Sequence, residues 1–318
     1  MSSPPAQGSV GVTVIITAYN YGRYLADAIH SALAQTHPLV EVLVIDDGST
    51  DNTPEVAASF GDRIRYHRQS NAGVSRTRNV GLSLATHEWV VFLDADDALY
   101  PWMVECAVQA ALRETELPAV VMGEWVEWKE GLQTEIEPQF KPVSTVSPID
   151  VGMLVLRNTL APTALARKSI LIELGGYDPE VGGAEDRDMW IRVAARHRFI
   201  LLDQVFYRFR LVANSLSHQP ERQGVVSKRV LAKARRNPDV SLPAWIWRES
   251  DAVQLYQSAM NYSMAGQHGR ALKQALHSFF TWPWLGGDYR PALPALARLR
   301  FIIRHLQFLL LPRKKPVN

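Results

Sequence analysis

Asp94 and Asp96 stand two residues apart at the end of the apolar run WVVFL, and a third aspartate, Asp97, follows them. Like charges at that spacing repel. A divalent cation supplies a reason for them, since hard cations prefer oxygen ligands. A solvated acidic loop is the plainer alternative. A calcium loop would use Asp94, Asp96 and Glu105 as its positions 1, 3 and 12, but Leu99 stands where the turn glycine belongs, and Pro101 and Trp102 follow. Carboxylates recur where other periodic stretches begin or end. Asp46 and Asp47 close VEVLVIDD, and Glu185, Asp186 and Asp188 open AEDRDMWIR. Thr17 ends VTVIIT, with Tyr19 and Asn20 just beyond it, and Arg78 and Asn79 lie in SRTRNVG.

These residues need elements to position them. VTVIIT is a continuous apolar run, as in a strand buried on both faces. Leu25, Ala28, Ile29, Ala32 and Leu33 then recur at helical spacing. VEVLVIDD, RIRYH and WVVFLDADD are further strands, separated by helices after GSTDNTPE and over GVSRTRNVGLSLAT. Alternating strands and helices predict an α/β domain with a mostly parallel, Rossmann-like sheet flanked by helices. Ligands of such sheets bind beyond the carboxyl ends of the strands, where Thr17, Tyr19, Asp46, Asp47, Asp94 and Asp96 would gather. From residue 119 the pattern changes. A strand and turn holding Trp125 and Trp128 lead to a proline-dotted loop ending at Pro148. Helix, turn, strand and helix follow over 151–178, then a helix from Glu185 and one or two strands over FILLDQVFYRFRL. The expected organisation is a short disordered tail over 1–10, a catalytic domain over 11–221 with halves 11–100 and 101–221, and a basic helical region over 222–318.

VTVIITAYN, VIDDGSTDNT, NAGVSRTRNVG, FLDADD and AEDRDMWIR occur in that order. Together they closely resemble glycosyltransferase family 2, inverting enzymes of the GT-A fold that use nucleotide-diphospho-sugars. The resemblance covers roughly residues 12–217. It implies that Thr17, Tyr19, Asn20 and Asp47 hold the nucleotide. The aromatic ring can stack on a base, and the aspartate can accept a hydrogen bond from a uracil imide. That leaves the first strand–helix unit no need of a glycine-rich phosphate loop. It also implies that Arg78 faces the nucleotide or diphosphate, whereas Arg76 suits a solvated helix face. Asp94, Ala95 and Asp96 form the family's metal motif, in which the last aspartate contacts a divalent metal (Mg or Mn) and the first reaches the ribose or the metal's water shell. Asp97 could share that task. The ED motif implies a general base for the acceptor hydroxyl, Asp186 first and Glu185 second. Asp188 suits the helix dipole and Trp190 the core. The glycines of GGYD, Gly175 to Asp178, suit either a close approach to the donor sugar or a plain turn. Many relatives carry a histidine after the last core strands. Here the stretch is YRFRLVANSLSH, so His218 lies late, and Arg210 could bring positive charge to the diphosphate instead.

The implied activity is a metal-dependent, hexosyl-type transfer from a nucleotide-diphospho-sugar, UDP-linked by expectation, to a glycan or lipid-linked acceptor in polysaccharide, glycolipid or cell-envelope synthesis. A catalytically inactive nucleotide-sugar-binding module is the alternative. A dehydrogenase would need G-x-G-x-x-G where the chain has TAYNYGRY, and a sugar nucleotidyltransferase would need a Gly- and Arg-rich loop there. One cysteine, Cys106, excludes an internal disulfide. MSSPPAQGS lacks the basic and apolar regions of a signal peptide, and no apolar run reaches the length of a membrane span. Charge is divided unevenly. Residues 222–318 carry 16 Lys+Arg against 4 Asp+Glu, a net of +12, so the rest of this +2 chain carries −10. Leu299, Ile302, Ile303, Leu306 and Leu310 share a helical face beside Arg300, Arg304 and the basic 313–315. Such a helix either packs on the catalytic domain or lies on an anionic membrane surface, as in a cytoplasmic enzyme peripheral to the inner face. No nucleic-acid motif accompanies the charge.

Overall fold

The computed structural model describes residues 10–128, 139–140, 146–156, 163–212, 220–283 and 295–310. It divides into two compact units, Met1–Asp150 with Ala161–Ser215, and Val151–Leu160 with Leu216–Asn318.

The first unit is built on a nine-stranded sheet. Strands β1 (Val12–Ala18), β2 (Val40–Asp46), β3 (Arg65–Arg68) and β4 (Trp89–Asp94) form its parallel half, in the order β3-β2-β1-β4. Val12, Val14, Ile15 and Ile16 are fully buried, as an apolar run covered on both faces must be. Helices α1 (Gly22–Leu33), α2 (Thr53–Ala58) and α3 (Val74–Leu84) connect these strands. On α1 the residues Leu25, Ala28, Ile29 and Ala32 are buried at helical spacing, and each large aliphatic contributes about 1.5–3 kcal/mol. The edge strand β3 is exposed at all four positions and carries Arg65 and Arg68, charges that discourage pairing with another chain.

The other half is mixed. β5 (Ala98–Leu99), β6 (Val120–Trp128), β7 (Val146–Pro148), β8 (Ala164–Arg167) and β9 (Phe199–Arg210) extend the order through β4-β8-β6-β9-β5, with β7 also on β9. β4–β8, β6–β8, β5–β9 and β7–β9 are antiparallel, while the long β6–β9 ladder is parallel. That ladder shifts register around Gly123, where a Cβ would lie 2.5 Å from the Phe206 ring and 2.6 Å from the Gln204 carbonyl. Helices α4 (Met103–Arg113), α6 (Lys168–Glu173) and α7 (Glu185–Ala194) complete the unit. The expected α/β fold is present. Three elements were not foreseen. α4 and the two-residue β5 follow the carboxylate run directly, and β7 lies within the expected loop ending at Pro148. FILLDQVFYRFR forms a single strand.

The second unit is helical: α5 (Val151–Leu156), α8 (Pro220–Arg236), α9 (Ala244–Met264), α10 (His268–Thr281) and α11 (Ala295–Leu310). Ser250 Oγ donates to the Val155 carbonyl at 2.7 Å and ties α5 to α9. Ala259, Ala275 and Ile302 form a core with Leu272, Leu276, Phe279 and Phe301 packed on it. Among the described residues no helix is long and apolar enough to cross a membrane.

Candidate active site

The run Asp94–Asp97 is the turn between β4 and β5. Its backbone is held at both ends. Ala95 N donates to the Thr17 carbonyl at 3.2 Å, prolonging the β1–β4 pairing, and Asp97 N donates to the Asp94 carbonyl at 3.0 Å. Behind it lies Arg210, the last residue of β9. Its backbone N donates to Asp97 Oδ1 (2.9 Å), Nε to the Asp96 carbonyl (2.8 Å) and Nη2 to Asp27 Oδ2 (2.7 Å). The guanidinium sits 3.7 Å over the Trp128 ring and 4.5 Å from the Tyr24 ring centre. Arg210 is therefore a buried brace of the turn, committed to Asp27 and two aromatic faces.

That brace does not neutralise the turn. Burial and the neighbouring Asp94 push Asp96 up to about 7, with Arg210 opposing. Burial and the charges of Asp96 and Asp94 push Asp97 well above the carboxylate range. Asp97 Oδ2 is buried and makes no hydrogen bond among the described residues. The part of these shifts that comes from neighbouring carboxylates is negative charge that a cation would offset.

Asp94 is engaged differently. Its Oδ1 accepts from Thr17 Oγ1 at 3.3 Å and from Arg78 Nη2 at 3.0 Å. Arg78 Nη1 donates to Glu185 Oε1 at 2.7 Å. Arg78 is 2% exposed and lies beside the Phe92 and Tyr177 rings, 5.9 and 5.4 Å from their centres. Burial alone would disfavour its charge, but Asp94 and Glu185 more than offset that and hold it protonated. Arg78 thus joins α3, β4 and the start of α7. Each Nη donates one hydrogen bond to a carboxylate, and the buried Nε has no hydrogen-bond partner among the described residues.

The two carboxylates that open α7 differ. Glu185 is buried against Arg78, and its Oε2 has no hydrogen-bond partner among the described residues. Asp186 is half-buried, and its Oδ1 accepts from Arg187 N at 2.7 Å. Burial and the adjacent Glu185 push Asp186 up to about 6, with Arg78 pulling the other way. A carboxylate with that affinity, held at a helix N-terminus, can take a proton near neutral pH. Asp188 accepts from Arg192 (Nε 2.9 Å, Nη2 2.7 Å), and Arg192 also donates to the carbonyls of Leu174 and Gly176. Asp188 therefore docks α7 on the GGYD turn. Trp190 is fully buried, its ring 5.8 Å from Phe199.

GGYD itself packs on α3. Asn79 exchanges two hydrogen bonds with the Tyr177 backbone, Nδ2 to O at 2.8 Å and N to Oδ1 at 2.7 Å. Gly176 has φ +71°, and a Cβ there would lie 2.5 Å from Asn79 Oδ1. Of its two expected duties, the close approach is made to Asn79.

The remaining positions ring the ends of β1 and β2. Tyr19 is 46% exposed. Asn20 has φ +58°, a conformation asparagine tolerates, and its Oδ1 accepts from Thr50 N at 2.7 Å. Asp46 is spent within the fold on Ser49 N (2.8 Å) and Tyr66 Oη (2.5 Å). Asp47 accepts from Gln69 Nε2 (2.7 Å), Ala72 N (2.8 Å) and Gly73 N (2.8 Å), which leaves about one of its four lone-pair positions. Arg76 is exposed, and His218 lies outside the described residues. Hydrogen bonds thus link Thr17, Arg78, Asp94 and Glu185 directly. Ala95, Asp96, Asp97 and Asp186 adjoin them in the chain, while Tyr19, Asn20 and Asp47 form a separate set around the β1 and β2 ends. Tyr21, Tyr24, Asp27 and Trp128 were missed as site residues. Burial and the Asp96 and Asp94 charges push the Tyr21 phenol up to about 12, which marks it as a neighbour of the turn. The spacing of Tyr21, Tyr24 and Asp27, three residues apart on one helical face, was the available signal.

Comparisons with known proteins bear on the family and the fold. The model of glycosyl transferase family 2 matches residues 13–175, half of the chain, and ends ten residues before Glu185. An uncharacterized glycosyltransferase of Rickettsia felis is 30% identical over 188 residues, covering 57% of this chain and 31% of the relative. The chain thus spans about a third of that relative's length. The 1–349 fragment of Staphylococcus aureus TarS in complex with UDP superposes with TM-score 0.58 at 20% identity, over 93% of this chain and 89% of that fragment. The mannosyltransferase PcManGT of Pyrobaculum calidifontis, in complex with GDP-Man and Mn2+, gives 0.59 at 20% identity over 95% and 82%.

Proposed function

Since the chain belongs to glycosyl transferase family 2, we propose that it is an inverting transferase moving a sugar from a nucleotide-diphospho-sugar to an acceptor hydroxyl. The observation that carries this is Arg78, whose one guanidinium holds Asp94 of the β4–β5 turn and Glu185 beside Asp186. It brings the donor-binding carboxylates and the base-bearing helix to one place. The donor is a UDP-sugar in this reading. Tyr19 offers a ring to the base, and the spare lone pair of Asp47 a contact to the imide. The UDP complex of TarS lends support.

In the transfer, the Asp186 carboxylate takes the acceptor's hydroxyl proton. The freed oxygen forms its bond to the anomeric carbon as the bond from that carbon to the diphosphate oxygen breaks. The nucleoside diphosphate departs with the electron pair, and the configuration inverts. Glu185, paired with Arg78, raises the basicity of its neighbour.

Asp96 and Asp94, with Asp97 behind them, fit a divalent cation, Mg or Mn. The raised proton affinity of Asp96 and the unsatisfied Oδ2 of Asp97 are what a cation would relieve. No described cluster of three His, Cys, Asp or Glu could hold one alone. That matches magnesium's habit of using one or two carboxylates together with substrate phosphates and water. When bound, such a metal would supply Lewis-acid stabilisation of the leaving diphosphate. The acceptor is a hydroxyl in polysaccharide, glycolipid or cell-envelope glycan synthesis, met by a cytoplasmic enzyme peripheral to the membrane's inner face.

The test is a panel of nucleotide sugars with soluble and lipid-linked acceptors, read as metal-dependent release of free nucleoside diphosphate and as the anomer formed. A UDP-sugar should turn over with inversion, and Asp96→Asn should abolish transfer. Full activity in excess chelator would remove the metal. Donor binding without turnover would leave a binding module.

A further inference from the structure

We propose that α11 docks the protein on an anionic phospholipid surface through the stripe Leu299, Ile303 and Leu306, bordered by Arg300 and Arg304. The helix has two faces of different kinds. Its inner face is fixed to the second unit. Ile302 and Phe301 belong to the apolar core. Arg298 is buried, and its Nη1 donates to Ser278 Oγ (2.8 Å) and its Nη2 to the Trp282 carbonyl (2.6 Å). The buried His305 ring pairs with Ser263 Oγ at 2.8 Å.

The outer face should then be polar throughout, and one stripe of it is not. Leu299, Ile303 and Leu306 are 42%, 48% and 38% exposed. At 3.6 residues a turn they fall within about 60° of one another. Exposed Arg300, Arg304 and Gln307 occupy the adjoining arc. Three large aliphatics in one outward stripe mark an interaction surface, because each leaves apolar area in water.

Charge selects the occupant. The sixteen residues of α11 include three arginines and no acidic residue. Residues 222–318 carry a net +12. A second copy would set the same cations against each other. Nucleic acid would use the arginines and leave the aliphatic stripe wet. An anionic bilayer surface uses both: the aliphatics reach the acyl boundary, and the arginine stems snorkel to the headgroups. With no described helix able to span, the attachment is interfacial and reversible. The proposal rests on the reading of a peripheral enzyme and on none of its transfer chemistry.

The experiment is co-sedimentation of the full chain with phosphatidylcholine vesicles, with and without phosphatidylglycerol. Binding should require phosphatidylglycerol and weaken as salt rises. Arg300→Gln with Arg304→Gln should weaken it about 30-fold, at roughly a factor of five per basic residue. Ile303→Ser with Leu306→Ser should weaken it at every salt concentration. Both variants should keep the wild-type melting temperature and donor turnover with a soluble acceptor. Binding indifferent to phosphatidylglycerol, or variants that bind like wild type, would overturn the proposal. So would a dimer in gel filtration that Ile303→Ser dissolves, or retention on duplex DNA in place of vesicles. Turnover without vesicle binding would remove the docking face alone. Vesicle binding without turnover of any donor would remove the transferase reading alone.

Discussion

Asp186 and Glu185 are neighbours of the same chemistry, and their surroundings separate them. Arg78 pairs with Glu185 Oε1, whereas Asp186 Oδ1 accepts from the backbone N of Arg187. Asp186→Asn should therefore bind donor normally and lose about 10²–10⁴-fold in transfer, measured as kcat at saturating donor. The pH profile carries a sign. The working base is the deprotonated carboxylate, and its pKa stands raised to about 6. At saturating donor and metal, transfer should fall about tenfold per pH unit below that value; the acid limb of Asp96, raised to about 7, belongs to donor and metal binding and enters kcat/KM instead. The types of these residues were legible in the sequence, because strand ends and helix starts announce themselves locally. Their partners were not. Arg78 reads as a helix-face cation until the fold sets it against a carboxylate 107 residues away. Arg210 reads as a cation for the diphosphate until Asp27, 183 residues away, claims it.

Among the elements, the α6–α7 connection depends on one backbone conformation. Gly176 combines φ +71° with a contact that leaves no room for a methyl group beside Asn79. Arg192 fastens α7 to that turn through the Leu174 and Gly176 carbonyls. Gly176→Ala should cost about 2 kcal/mol or more, read as a lower urea midpoint, and should lower activity through misplacement of α7. Gly175→Ala, at φ +86° with nothing near its Cβ, should show the backbone cost alone. The parallel half of the sheet was legible because β1, β2 and β4 are apolar runs punctuated by turn residues, with the short polar β3 falling in the alternation between two helices. β5 and β7 were not, being two and three residues long and made by pairing with β9. α4 hides in plain composition: Met103–Arg113 has a regular apolar face, but it follows the acidic run so closely that the loop seemed to continue.

At the scale of the whole molecule, the uneven charge was visible in composition alone, since it needs only counting. The grouping of Val151–Leu160 with the C-terminal helices was not, because nothing local distinguishes α5 from the helices of the first unit. Arg78 has one more consequence, for heredity. Positions 78, 94 and 185 answer to a single guanidinium, so loss of Arg78 strands the buried Glu185, and loss of either carboxylate leaves the buried Arg78 a single partner. Substitutions there should be strongly epistatic. Arg78→Met should be far more harmful to stability beside native Asp94 and Glu185 than in an Asp94→Asn, Glu185→Gln background, the difference being read by denaturant midpoints around the cycle. A lineage drifting by single substitutions would find all three positions frozen. A lineage that had already lost catalysis could let them go together, so their joint disappearance would mark a relative that no longer transfers sugar.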